Sequence, residues 1–142
     1  MAQAAPVVKK ARPLSPHLQI YATPINMVMS ILHRLTGAAL YFGTLLLAGW
    51  LIAAASGPVA YDTANALFGA TPAGIPVGKL VLFGYTWALL HHMLGGMRHL
   101  LWDTGRGFDL PTVKKLGWMT IIGSVLLTLA VWAVAYKIRG GL

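Results

Sequence analysis

The chain has 142 residues, 57% of them hydrophobic and only 10% charged, with no cysteine. Soluble domains carry about 25% charged residues, so charge this sparse cannot coat a globule, and lipid must face much of the surface. The lack of cysteine excludes disulfides, thiolate zinc sites and cysteine-held iron–sulfur clusters, leaving His or Met, or a neighbouring chain, to hold any redox cofactor.

The formal net charge is +8, from eleven Lys and Arg against three Asp and Glu. The basic residues sit at the ends of apolar runs, where lipid head groups and insertion topology account for them, so no nucleic-acid partner is expected. The length suits a single membrane domain over residues 1–142. It opens with a polar, basic arm over 1–26. Met1 to Leu18 contains Pro and Lys but no apolar core run of the kind a signal peptide carries.

The first apolar run covers about 27–55 and stops at Ser56-Gly57-Pro58. A Gly- and Pro-rich stretch around Pro72 to Pro76 precedes the second, at about 77–102, and the third covers about 116–136. Each matches or exceeds the ~20 residues that cross a ~30 Å hydrocarbon core. Backbone groups in lipid must pair within their own segment, which makes these runs helices. The predicted fold is all-α, with three transmembrane helices. Lys9, Lys10, Arg12 and Arg34 precede or open the first span, and Arg106, Lys114 and Lys115 lie between the second and third. The positive-inside rule then puts the N-terminus and the second loop on the cytoplasmic side. Lys137 and Arg139, at the far end, run against that bias.

At the start of the first span, Ser30, His33 and Arg34 are three and four residues apart, a spacing that puts them near one helix face. One reading is a snorkelling Arg34 with Ser30 as a helix cap. The other is a polar pocket at the membrane edge. There Arg pairs bidentately with a carboxylate, and a Ser hydroxyl donates to a quinone carbonyl.

The second span carries His91, His92 and His99. His92 and His99 fall within ~20° of one another around the helix and ~10 Å apart along it. With Trp102 and Asp103 at the interface, His92 sits about half-way into the bilayer, where an ionisable residue is by default a functional candidate. Gly95 and Gly96 follow three and four residues later on the same face. They provide either a close helix–helix contact or a flat groove for a planar macrocycle whose iron His92 binds. His91 points about 100° away and is expected to hydrogen-bond between helices. No other span has a His at the depth of His92. A haem there would be five-coordinate, or would take its second ligand from another chain. Arg98 would face a propionate of such a haem or the head groups, and Asp103 is an interface charge, a proton relay or a partner of Arg98 or Arg34.

Three motifs occur in order: R-P-L-S-P-H-L from Arg12 to Leu18, S-I-L-H-R-L-T-G from Ser30 to Gly37, and H-M-L-G-G-M-R-H-L-L-W-D from His92 to Asp103. Together they resemble the succinate dehydrogenase cytochrome b subunit family, the larger membrane anchor of respiratory complex II. The resemblance implies a non-catalytic-core subunit of a succinate:ubiquinone oxidoreductase in the bacterial cytoplasmic membrane. Its partners would be a flavoprotein subunit, an iron–sulfur subunit and a small membrane anchor bundled with this chain. It implies haem b, with His92 as axial metal ligand and the second ligand on the small anchor. It also implies ubiquinone as substrate at Ser30 and Arg34. His33 would lie near the haem propionates, Arg34 would serve both groups, and the basic arm with His17 would lie on the iron–sulfur subunit. Two alternatives stay open: a haem b anchor of a fumarate reductase-type complex, and a scaffold without haem.

Overall fold

The computed structural model describes residues 12, 13 and 20–140. Most of the predicted N-terminal arm, including Lys9, Lys10 and His17, lies outside the described residues. Among the described residues there are four α-helices: α1 (Ile25–Ala55), α2 (Pro58–Gly69), α3 (Val77–Asp103) and α4 (Leu110–Ile138), with a short 3₁₀ turn at Pro72–Gly74 before α3. The first two predicted spans match α1 and α3 to within two residues at each end.

Pro24, extended at φ −62° and ψ 148°, stands before α1 and fixes its start. Ser30 is therefore inside the second turn, and the expectation that it caps the helix is wrong. α1 runs 31 residues, about 46 Å at 1.5 Å per residue. Its end is set by Gly57, at φ 113°, followed by Pro58 at the start of α2. This second helix fills the stretch between the end of the first apolar run and the Gly- and Pro-rich segment at Pro72. Its 12 residues mix Ala, Asn, Asp and Tyr and show no long apolar run, so hydropathy alone does not signal it. Tertiary contacts hold it: the Trp50 indole donates to Asn65 Oδ1 at 3.0 Å, and the Trp50 and Tyr61 rings lie 5.8 Å apart. At its other end, a Cβ on Gly78 would collide with the Phe68 carbonyl, so glycine lets α2 and α3 touch.

α4 begins six residues before the predicted third span. The apolar run starts at Leu116, whereas the helix is started by a cap: Asp109 accepts from the Thr112 amide at 3.0 Å. Lys114 and Lys115, expected in the loop, consequently lie on the helix. The turn before it uses Gly105 and Gly107 at φ 75° and 76°, and the Trp102 indole closes it by donating to the Gly107 carbonyl.

The contacts give the topology. Gly37 meets His92 and Gly43 meets the Tyr85 ring, so α3 runs back antiparallel along α1. Leu94 meets Gly123 and Trp132 donates to Thr86, so α4 runs antiparallel to α3. Ile25 and Met29 touch Gly117, which sets α4 parallel to α1. α3 is thus the middle element, in contact with both others.

Its interior is small and polar. The buried residues of α3 are Ala88, His91, Gly95 and Arg98, and those of α4 are Gly117, Thr120, Ser124 and Thr128. α1 adds Met29 and Thr36. Each buried hydroxyl donates to a carbonyl of its own helix three or four residues back, which leaves the helices free to approach. Leu, Ile, Val and Phe point outward along all three long helices. That is the arrangement of helices whose apolar solvent is lipid, with small residues at the contacts. α1 and α4 are each long and apolar enough to cross a membrane, at mean hydropathy 1.9 and 2.0.

Two predictions follow from these elements. Gly43→Val should clash with the Tyr85 ring and lower the thermal stability of the purified assembly by about 1–3 kcal/mol, whereas Gly49→Val, at a position with open space, should leave the melting point unchanged. Hydrogen bonds from Thr112 hold the Asp109 carboxyl below its ordinary value. Its contribution to the first turn of α4 is therefore fully present above the unfolded value of about 3.9 and fades as pH falls through the lowered folded value. Protection of the Thr112 and Val113 amides, taken relative to intrinsic exchange at each pH, should fall on acidification below about pH 4, and Asp109→Asn should flatten that dependence.

Candidate functional site

The candidate residues gather where the start of α1 crosses the latter half of α3. The His33 and His92 rings stack with centroids 3.9 Å apart and planes 5° from parallel. Each ring rests on a glycine of the opposite helix. A Cβ on Gly37 would come to 3.0 Å from His92 Cε1, and one on Gly95 to 2.5 Å from His33 Nδ1. A single methyl at Gly95 would push the helices apart. His99 stands beside His33, with ring centroids 5.2 Å apart, and lies edge-on to Trp102.

The hydrogen bonds of His92 decide its tautomer. Its Nδ1 lies 3.1 Å from the His33 carbonyl oxygen and 3.3 Å from Thr36 Oγ1. A carbonyl only accepts, and the Thr36 hydroxyl proton is committed within α1, to the carbonyls of Leu32 and His33 at 2.8 and 3.0 Å. Nδ1 therefore carries the proton and donates to His33. The Nε2 lone pair is left for a Lewis acid, in the tautomer that metal-ligating imidazoles show when the other nitrogen bonds a carbonyl.

His91 is arranged differently. It is 1% exposed, and its Nδ1 lies 3.2 Å from Ser124 Oγ. Ser124 gives its own proton to the Ile121 carbonyl, so His91 Nδ1 donates to it. The ring is locked between α3 and α4 beside Trp87, and its Nε2 has no partner. The interhelical reading of His91 is the one the structure carries.

The two glycines after His92 part company. Gly95 is occupied by the His33 ring, so the close-contact reading holds there, while a Cβ on Gly96 would meet nothing within 4 Å. Ser30, His33 and Arg34 do not share one face. Ser30 and Arg34, one turn apart, are exposed on the outside of α1, whereas His33 is half-buried and turned into α3. Arg98 is only 5% exposed, so it does not reach toward head groups. Its guanidinium carbon lies 4.8 Å from the Trp102 ring centroid, and Nε and Nη1 have no hydrogen-bond partner. Asp103, the last residue of α3, is exposed.

Sequence reasoning missed Thr36, Ser124 and the burial of Arg98. The signal for Arg98 was present: it is seven residues after His91 and three after Gly95, so it continues the buried stripe of α3. No pattern in the sequence announces Thr36 and Ser124, because their roles depend on which turn of a neighbouring helix they meet. Among the described residues no group of three or more His, Cys, Asp or Glu side chains could hold a metal ion. A haem iron needs only an axial ligand from the protein.

Residues 8–131 match the family described as succinate dehydrogenase/fumarate reductase transmembrane subunit. The succinate dehydrogenase cytochrome b556 subunit of Rickettsia felis is 40% identical over 121 residues, covering 85% of this chain and 90% of the relative. That of Paracoccus denitrificans is 40% identical over 123 residues, covering 87% and 91%. The mitochondrial succinate dehydrogenase cytochrome b560 subunit of Sus scrofa is 36% identical over 115 residues, covering 81% and 66%. With the match running through all three long helices, the chain belongs to the succinate dehydrogenase/fumarate reductase transmembrane subunit family.

Proposed function

We propose that this chain is the larger membrane anchor of a succinate:ubiquinone oxidoreductase in a bacterial cytoplasmic membrane. In this reading it is a single domain that crosses the bilayer three times and holds haem b jointly with a small anchor subunit. It also forms part of the ubiquinone-reduction site, next to an iron–sulfur subunit that receives electrons from a flavoprotein. The family supports the class of complex, and the cytochrome b names of the relatives support the haem.

The third crossing is argued from topology. α1 and α4 run parallel and are each fit to span, so the chain must return between them, and α3 is the antiparallel element that does so. Its 27 residues rise about 40 Å. Three His, four Gly, Lys79, Arg98 and Asp103 dilute its hydropathy, and two of its polar side chains, His91 and Arg98, are buried inside the bundle. Arg34, near the start of α1, and Arg106, Lys114 and Lys115 share one end of the bundle. The positive-inside rule makes that end cytoplasmic.

The observation that carries the haem reading is the bond from His92 Nδ1 to the His33 carbonyl, which leaves Nε2 as a ligand of fixed orientation. His91 is a poor rival, since its Nε2 is sealed between α3 and α4. The unpartnered donors of buried Arg98 suit the carboxylates of a propionate-bearing macrocycle, and in this reading His33 lies near those propionates. When bound, haem b would supply a one-electron redox centre within the membrane. Ser30 and Arg34 share an exposed face at the same end, where a partner subunit can close a pocket over them. The Ser30 hydroxyl would donate to one quinone carbonyl, and Arg34 would favour the oxygen that gains negative charge as electrons arrive. The second ligand, the small anchor and the remaining pocket walls belong to other chains in this reading.

Two experiments test it on the intact complex. His92→Ala should abolish the low-spin b-type α-band in a reduced-minus-oxidised spectrum, while His91→Ala should retain it; an unchanged spectrum in His92→Ala would remove this residue as the ligand. Ser30→Ala and Arg34→Ala should each slow succinate-to-ubiquinone electron transfer roughly 10- to 100-fold, the scale of one hydrogen bond involving a charged or reacting group. Reduction of a soluble dye by succinate should stay at the wild-type rate. Normal quinone turnover in both variants would refute the pocket.

A further inference from the structure

Lys137 and Arg139 run against the charge bias that orients the chain, and the site at the other end of the bundle uses neither. The structure separates them. Arg139, the residue that ends α4, lines a cavity of about 380 Å³ between the end of α4 and the start of α3, and Lys79 lines it from the other side. Lys137 is not part of its wall. The remaining walls are mostly apolar, with Leu82 on α3 facing Val131, Trp132 and Tyr136 on α4. Thr86 also lines it, but its hydroxyl is committed: it donates to the Leu82 carbonyl and accepts from the Trp132 indole at 3.4 Å. The polar atoms at the floor are thus satisfied internally.

We propose that this groove holds one anionic phospholipid, with its phosphate at Lys79 and Arg139 and an acyl chain along Leu82, Trp132 and Val131. Three observations favour a lipid. First, the two cations share the cavity with no carboxylate in its wall, and Asp103 and Asp109 lie at the opposite ends of the same helices. Second, the gradient runs the right way, with charge at the helix ends and apolar surface inward. Val131 to Arg139 covers about 12 Å along α4 and Lys79 to Thr86 about 10 Å along α3, within one leaflet of a ~30 Å core. Third, Lys79 lies in the first turn of α3 and Arg139 at the end of α4, helix-end positions from which long basic side chains reach the head groups. Trp132 and Tyr136, aromatic rings with a polar edge, are the side chains that settle at the head-group level. The groove is at the end of the bundle away from His33 and Arg34, so the inference stands apart from the haem and quinone assignments.

The test uses the intact complex, stripped of lipid by detergent exchange and reconstituted into nanodiscs of phosphatidylcholine with increasing phosphatidylglycerol. Native mass spectrometry should find one phosphatidylglycerol retained per copy of this chain, and its addition should raise the melting temperature. The double variant Lys79→Gln/Arg139→Gln should weaken retention roughly 10- to 30-fold, as loss of two near-surface basic residues predicts, while Lys137→Gln behaves as wild type. Ala135→Trp, which fills the groove and leaves both cations in place, should also abolish retention. Inorganic phosphate alone should not stabilise the complex, because the acyl contacts are missing. Equal retention of phosphatidylcholine, or undiminished retention in the double variant, overturns the proposal. So does a photo-crosslinker at Trp132 that captures a partner subunit instead of lipid.

Discussion

The polar groups inside this bundle have almost nothing but each other to bond with, and the rest of the architecture depends on that. When the surrounding solvent is lipid, leucine gains nothing by turning inward, so the long apolar side chains stay outside. The helices are left to meet through Gly, Ala, Ser and Thr. Only Met29 and Ala88 are buried hydrophobic residues among those described, against buried Thr36, His91, Arg98, Thr120, Ser124 and Thr128. The hydroxyls bond back to their own helices, which makes each helix surface nearly flat. His91 then reaches Ser124, and α3 and α4 are joined at mid-depth by a side-chain hydrogen bond rather than by a hydrophobic core.

The same constraint shapes the site between α1 and α3. Two imidazoles stack because two glycines, Gly37 and Gly95, remove the side chains that would otherwise hold the helices apart. The approach brings the His33 carbonyl, already part of the α1 backbone ladder, within reach of His92 Nδ1. A carbonyl can accept more than one hydrogen bond, so this second role needs no break in the helix. The consequence is chemical: one nitrogen of His92 is fixed as donor and the other keeps its lone pair. A helix–helix contact and the contact that sets the tautomer are thus one interaction.

Burial divides the charged residues by task. Arg98 is held inside with two unpaired donors, a costly placement that calls for an anionic partner. Arg34, equally basic and on a neighbouring helix, is exposed and free to meet another subunit. At the other end Lys79 and Arg139 meet across a groove although they are sixty residues apart in the chain. None of these assignments depends on residue type, since arginine appears in all three settings. They depend on which face of which helix each residue occupies.

Composition and hydropathy alone determined that the chain is a membrane bundle. They located α1 and α3 closely, because a long apolar run in lipid has no stable form except a helix. Motif order pointed to the family, and it was the family pattern, with a second His seven residues on, that favoured His92 over His91. What the sequence left open was set by contacts between segments far apart in the chain. α2 was missed because its stability comes from Trp50 and Tyr61 meeting across a turn. The start of α4 was misplaced because a carboxylate cap, not hydropathy, sets it. The choice between close contact and open groove at Gly95 and Gly96 needed the tertiary structure, since it turned on where the ring of His33, on another helix, came to rest. The grouping of Ser30 with Arg34, apart from His33, likewise followed only once α3 was in place to draw one of the three inward.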